Sequence, residues 1–241
     1  MKYARALVFD LDDTLMDTYG QLVMDAHRQA CLAMHQAGLD VPVEELMATR
    51  LRLISAAPRE EVNALLARHY SCAEQKVVQA GIDTYFNPEI TEIEPFPGVY
   101  EMLDQLSADH ELFLVTAGFE RTQAKKIQVL GIGAYFREIC YVPVDQLDGK
   151  YAAFCYLQRK YSYAFADMVI VGDRITNEIA AGNRLGCPTI WIRHGECAHI
   201  APAGPHEEPT LSAEAIHALP ALLQQLPSKA PLTQATAADL S

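Results

Sequence analysis

Long apolar runs are missing from this chain. Although 50% of its 241 residues are hydrophobic, no run approaches the roughly 18–20 apolar residues that a membrane-crossing helix needs, so no membrane partner is expected. Positive charge is scarce. Nineteen Lys and Arg against 31 Asp and Glu give a net charge of −12, which argues against broad nucleic-acid binding. An anionic substrate would have to be drawn by a local site, not by the field of the whole molecule. Closely paired cysteines are absent too. The six stand at 31, 72, 140, 155, 187 and 197, and none forms a CxxC pair. Lys2 and Arg5 are not followed by a long apolar stretch with a small-residue cleavage site, so no secretory signal is expected. Reduced thiols in a cytoplasmic enzyme are expected instead. The stretch HGECAH, with His194, Cys197 and His199, lacks further ligands at zinc spacing and reads as a loop. No internal repeats occur.

What is present is alternation. Five short apolar runs, ALVFD (6–10), ELFLVTAG (111–118), EICYVPV (138–144), DMVIVGD (167–173) and TIWIRHG (189–195), read as buried strands. Helical patterns separate most of them: GVYEMLDQLSAD, RTQAKKIQVLGI, KYAAFCYLQRKY and TNEIAAGNRLG, the last ending at an expected C′ glycine, Gly186. Strands alternating with helices imply an α/β fold with a doubly wound, mostly parallel sheet covered on both faces. One interval breaks the rhythm. From about Met16 to Glu94 four amphipathic helical patterns follow one another without a strand, too long a stretch for a loop. The expected organisation is a catalytic core of residues 1–16 and 96–226, an inserted helical domain at 17–95, and a loose tail at 227–241. EPFPG (94–98) is the expected return hinge, and TLSAEAIHALPALLQQL is expected to add a helix to the core.

In open parallel sheets, ligands bind outside the carboxyl ends of the strands. The first strand ends in Asp10 and Asp12. The second ends in Thr116, Ala117 and Gly118. The loop after the third leads to Lys150. The fourth ends in Asp173, with Glu178 five residues on. Close carboxylates of this kind suit a hard divalent cation such as Mg²⁺. A carboxylate also serves as a nucleophile toward phosphorus once the phosphoryl charge is neutralised by a cation, a lysine and hydroxyl or amide donors. A second carboxyl group can protonate the leaving oxygen and then activate water.

These residues resemble the motifs of the haloacid dehalogenase superfamily, in the branch with a helical cap inserted after the first motif. The resemblance spans Lys2 to about Leu226, the cap matching only in position and helical character. DLDDT (10–14) fits the DxDxT motif, which implies Asp10 as nucleophile and metal ligand. It implies Asp12 as general acid/base, with its backbone carbonyl on the metal and Thr14 in support. LVTAG implies Thr116 and the amides of Ala117 and Gly118 as phosphate binders. Lys150 falls at the third motif, although the Lys-Pro common there is GKYAAF here. VGDRITNE implies Asp173 on Mg²⁺ and Glu178 supporting it. Asp13 stands where glycine is common. It and Asp17 are read as structural or solvated, and Lys150 is preferred over Lys125 and Lys126 as the site lysine. Arg174 adjoins the site and reads as exposed. Tyr19, Arg50 and Arg52 read as helix-surface residues, with substrate contact the alternative. The resemblance implies a Mg²⁺-dependent phosphatase acting on a small phosphorylated metabolite. A phosphomutase of the same fold, or a phosphoaspartate receiver, would use similar groups.

Overall fold

Every residue of β1 (Ala6–Phe9) is buried. Leu7 and Phe9 join one apolar cluster, Ala6 and Val8 another. Side chains alternate between the two faces of a strand, so a strand apolar at every position has to be covered on both sides. The computed structural model, which describes residues 5–58, 61–86, 90–143, 146 and 148–226, shows how this is done.

After β1 the chain makes a π-helical turn at Tyr19–Val23 and then four helices: α1 (Met24–Gln36), α2 (Val43–Ile54), α3 (Val62–His69) and α4 (Gln75–Phe86). It continues through α5 (Val99–Ser107), β2 (Glu111–Ala117), α6 (Glu120–Leu130), β3 (Glu138–Val142), α7 (Gly149–Tyr161) and β4 (Met168–Gly172). A second π-helical turn at Ile175–Ile179 leads into α8 (Ala180–Leu185), followed by β5 (Thr189–Ile192), β6 (Leu211–Ala213) and α9 (Leu219–Leu223). The strands form one parallel sheet in the order β3-β2-β1-β4-β5-β6. Helices α5, α6 and α9 supply side chains to the cluster on one face, and α7 and α8 to the cluster on the other. The doubly wound α/β architecture expected from the alternation is the one observed.

Two details differ from the sequence reading. β6 is a sixth strand, only three residues long, in a segment expected to be helical. The helix there is reduced to a 3₁₀ turn at Ile216–Ala218 and the short α9, which carries Pro220 in its first turn. Three residues are too few to display the period of a strand. The expected tail at 227–241 lies outside the described residues.

Topology places the site. From β1 the chain builds β2 and β3 on one side, then crosses to β4 on the other. β1 therefore stands where the strand order reverses, and crevices open beside that point at the carboxyl ends. Helices α1 to α4 have an apolar core of their own, with Cys31, Met34, Leu46, Leu66 and Val77 buried together. The outgoing and returning segments are clasped side by side. Phe96 N–H donates to Leu15 O (2.9 Å). Gln21 and Glu94 exchange two bonds, Nε2 to carbonyl (2.8 Å) and amide to Oε1 (2.7 Å).

Candidate active site

Asp10 follows the last residue of β1, and its N–H donates to Val171 O of β4 (2.9 Å). That bond extends the ladder one step and sets Asp10 beside the end of β4, where Asp173 follows Gly172. The Asp173 carbonyl accepts the indole N–H of Trp191 (2.7 Å), which fixes the loop. Glu178 folds back from the π-helical turn against Gly172. A Cβ at Gly172 would come within 2.7 Å of Glu178 Cγ, so this position has to be glycine for the carboxylate to reach the rim. Ligand oxygens of Asp10, Asp173 and Glu178 all lie within 4.8 Å of one another, and all three residues are buried.

One cation stands among these three acids. Lys150 Nζ lies 2.7 Å from Asp10 Oδ1 and also pairs with Glu178. Burial opposes its charge, but Asp10 and Glu178 outweigh that and raise its pKa. The acids are pushed the other way. Burial, with Glu178 and Asp12 adding to it against the pull of Lys150, raises Asp10 to about 7. Burial, with Glu178 and Asp10, raises Asp173 to about 9. Arg174 Nε sits 4.0 Å from Asp173 Oδ2 on a side chain 46% exposed. Asp173 Oδ1 is buried without a hydrogen-bond partner. An orphaned carboxylate oxygen amid crowded, buried acids fits a hard divalent cation with oxygen ligands.

Asp12 has a different environment. Lys126 Nζ lies 2.5 Å from its Oδ1, Thr18 Oγ1 donates to the same oxygen (2.5 Å), and Gln123 Nε2 donates to Oδ2 (2.6 Å). Burial works to raise its pKa, but Lys126 and the three hydrogen bonds outweigh it, and Asp12 is held below the usual carboxylate range. The Gln123 amide also contacts Thr116 Oγ1 and Ala117 O (3.2 Å), tying the end of β2 to the end of β1. The structure therefore brings Asp10, Asp12, Thr116, Lys150, Asp173 and Glu178 to one rim. Gly118, also on that rim, has its N–H donating to Val142 O (2.9 Å). Thr14 is fully buried and its hydroxyl has no partner.

Sequence reasoning treated Lys126 as a rival to Lys150. In the structure the two serve different acids. It missed Gln123 and Thr18. The signal was available: Gln123 and Lys126 share a face of α6 with Ile127 and Leu130, and all four are buried. Arg50, read as a helix-surface residue, is completely buried, because its position on α2 faces the other helices of the insertion. Asp13 takes a left-handed conformation (φ 53°), and its carboxylate accepts Tyr19 N–H (3.0 Å). That explains how an aspartate serves where glycine is common, since Asp tolerates this region by bonding locally. Asp13, Asp17 and His194 also group their polar atoms within 4.8 Å. Cys197 and His199 are not part of that group.

A parallel sheet carrying an acid cluster and a buried lysine at the ends of its central strands defines a doubly wound α/β core with a helical unit between its first strand and the rest. The chain belongs to the haloacid dehalogenase-like hydrolase family, whose sequence profile matches residues 4–186. It is 31% identical over 215 residues to a glyceraldehyde 3-phosphate phosphatase of Methanopyrus kandleri, covering 85% of this chain and 91% of that protein. A glyceraldehyde 3-phosphate phosphatase of Methanocaldococcus jannaschii is 28% identical over 201 residues, covering 80% and 86%. The fold is similar to that of the magnesium-bound HAD-hydrolase YfnB of Bacillus subtilis, at a TM-score of 0.66 and 21% identity, over 92% of this chain and 99% of that one. Among the described residues, no helix is long and apolar enough to cross a membrane.

Proposed function

We propose that the chain is a Mg²⁺-dependent phosphatase that hydrolyses a small phosphorylated metabolite through an aspartyl-phosphate on Asp10. The observation that carries this reading is the buried set of Asp10, Asp173 and Glu178 around Lys150, facing Asp12 and Thr116 on the same rim. Asp10, Asp173 and the Asp12 carbonyl would hold Mg²⁺, with Glu178 in support. When bound, the ion offsets the negative charge of the cleft and of the phosphoryl group. Lys150 aims Asp10 and pulls its pKa down against burial, and a bound cation would add to that pull, as an ionised nucleophile requires. Asp10 attacks phosphorus while the Thr116 hydroxyl holds a phosphoryl oxygen; the Gly118 amide is committed to Val142 O. Asp12, which has to take up a proton against the pull of Lys126, gives it to the leaving oxygen, then takes one from the water that cleaves the acyl-phosphate. The helical insertion closes over the rim, excludes water and selects the leaving group. The named relatives make triose phosphates the first substrates to try.

The test is release of inorganic phosphate from p-nitrophenyl phosphate and a metabolite panel, with and without Mg²⁺. Phosphorus NMR of the products separates release from transfer to a second sugar. Wild-type turnover retained by Asp10→Asn overturns the mechanism.

A further inference from the structure

Arg50 is a cation enclosed in the helical insertion. Its side chain is 0% exposed, and arginine keeps its proton inside proteins. Nε donates to His27 Nδ1 (2.9 Å) and Nη1 donates to Asn63 Oδ1 (2.8 Å). The guanidinium carbon lies 5.0 Å from the centre of the Tyr85 ring, which stacks on His27 at 4.9 Å. None of these partners is a carboxylate, and among the described residues no carboxylate pairs with Arg50. The Cys31 thiol is close enough to interact, but burial pushes it up to about 11, so it stays neutral. An enclosed charge with no opposite partner is costly.

Two donors beside it lack acceptors. Arg50 Nη2 and Asn63 Nδ2 are both buried without a hydrogen-bond partner. Both belong to side chains joined by the Nη1–Oδ1 bond. A pair of N–H donors, one of them charged, matches the two oxygens of a carboxylate. The backbone accommodates this arrangement closely: a Cβ at Gly81 of α4 would come within 2.6 Å of Asn63 Oδ1. The cluster also lies toward the sheet. His27 is in the first turn of α1, directly after the segment carrying Asp12 and Thr18. Tyr85 is in the last turn of α4, before the return to the core. Arg50 is near the end of α2 and Asn63 at the start of α3.

We propose that Arg50 and Asn63 form a subsite for a carboxylate on the leaving group, so that the preferred substrate is a phosphomonoester of a hydroxy acid. This rests on the phosphatase reading and departs from the named relatives, since glyceraldehyde 3-phosphate carries an aldehyde and no carboxylate. The phosphoryl end goes to Asp10 and the acid end to Arg50. Entry of the acid group requires the insertion to open at its sheet-side end, where the clasped linkers join it to the core.

The experiment compares acid and neutral esters of matched length, 3-phosphoglycerate with glycerol 3-phosphate and 6-phosphogluconate with sorbitol 6-phosphate. In at least one pair the wild type is expected to favour the acid about tenfold or more in kcat/KM. Arg50→Met is expected to bring that ratio close to one. Asn63→Asp is the second variant: it keeps the side-chain volume, supplies Arg50 with an internal carboxylate, and is expected to collapse the ratio by filling the subsite. A wild-type ratio near one in both pairs overturns the assignment. So does a ratio that survives in Asn63→Asp, or an Arg50→Met enzyme in which both members of a pair fall by the same factor. Failure of the phosphatase reading looks different: no phosphate is then released from any ester, p-nitrophenyl phosphate included.

Discussion

The core and the helical insertion bury opposite charges, and neither balances them internally. At the ends of β1 and β4 three carboxylates crowd one lysine. Inside the insertion one guanidinium has neutral hydrogen-bond partners and two donors left over beside it. A buried pair is a weak source of stability, but a buried charge without a partner is strongly destabilising. Such an imbalance is sustained when a ligand of the missing sign completes it. On the proposed readings the core would hold a cation and a phosphoryl group, and the insertion an anion. Asp12 lies between these extremes. With Lys126, Thr18 and Gln123 around it, its charge is matched, and it is the acid with a proton-transfer role in the proposed mechanism.

The largest expected effect comes from Lys150→Met, which deepens the imbalance of the core. Asp10, Asp173 and Glu178 would face one another with no enclosed cation. Phosphate release is expected to fall by about 10³-fold, as for loss of a strong electrostatic contact. Stability is expected to fall by about 3–5 kcal/mol, the usual cost of removing one partner of a buried pair. Denaturant unfolding measures the second quantity. An unchanged midpoint would mean that Lys150 does not hold the acids together.

A smaller effect is expected from Lys126→Met. This removes the main force holding down the Asp12 pKa, so that pKa moves up. A general acid must be protonated, and the rate falls above its pKa. The alkaline limb of the kcat profile should therefore shift to higher pH. The rate at the optimum is expected to drop about tenfold, less than the roughly 10²–10⁴ that acid–base catalysis is worth. A limb that stays in place would separate Lys126 from the acid/base role of Asp12.

How much of this was legible in the sequence depended on whether the information was local. Asp10 and Asp173 follow apolar runs at the ends of strands, and Lys150 opens a helix on the same rim. Each carries its own neighbourhood as a signature. The partners of Asp12 do not: Gln123 and Lys126 are 111 and 114 positions away, and only the face of α6 hinted at them. Arg50 was misplaced for a related reason. A charged residue on an amphipathic helix is by default at the surface, and only the packing of α1, α3 and α4 around it shows otherwise. β6 was too short to carry a pattern, and it forms because β5 offers an edge for it.

The last prediction sharpens the contrast through pH and metal together. Burial raises Asp10 to about 7 and Asp173 to about 9, both above the ordinary carboxylate value near 3.9. A folded state with raised carboxylate pKa values binds more protons than the unfolded chain, so stability falls as pH rises. That contribution is fully present below about pH 4, is lost through about 7 for Asp10, and is lost through about 9 for Asp173. Mg²⁺ would neutralise the same charges at high pH and compete with protons at low pH. Its effect on the melting temperature should therefore grow from about pH 5.5 to about pH 8.5, reaching roughly 5–10 °C at a hundredfold excess over its Kd. Taking the difference with and without Mg²⁺ cancels every titrating group that does not feel the ion. Asp173→Asn should flatten the difference, because it removes the acid with the highest pKa of the set. Arg50→Met should leave the pH trend intact, because the imbalance in the insertion is of the other sign. A Mg²⁺ shift that is constant with pH, or that shrinks as pH rises, would mean that the crowded acids are not what the ion meets.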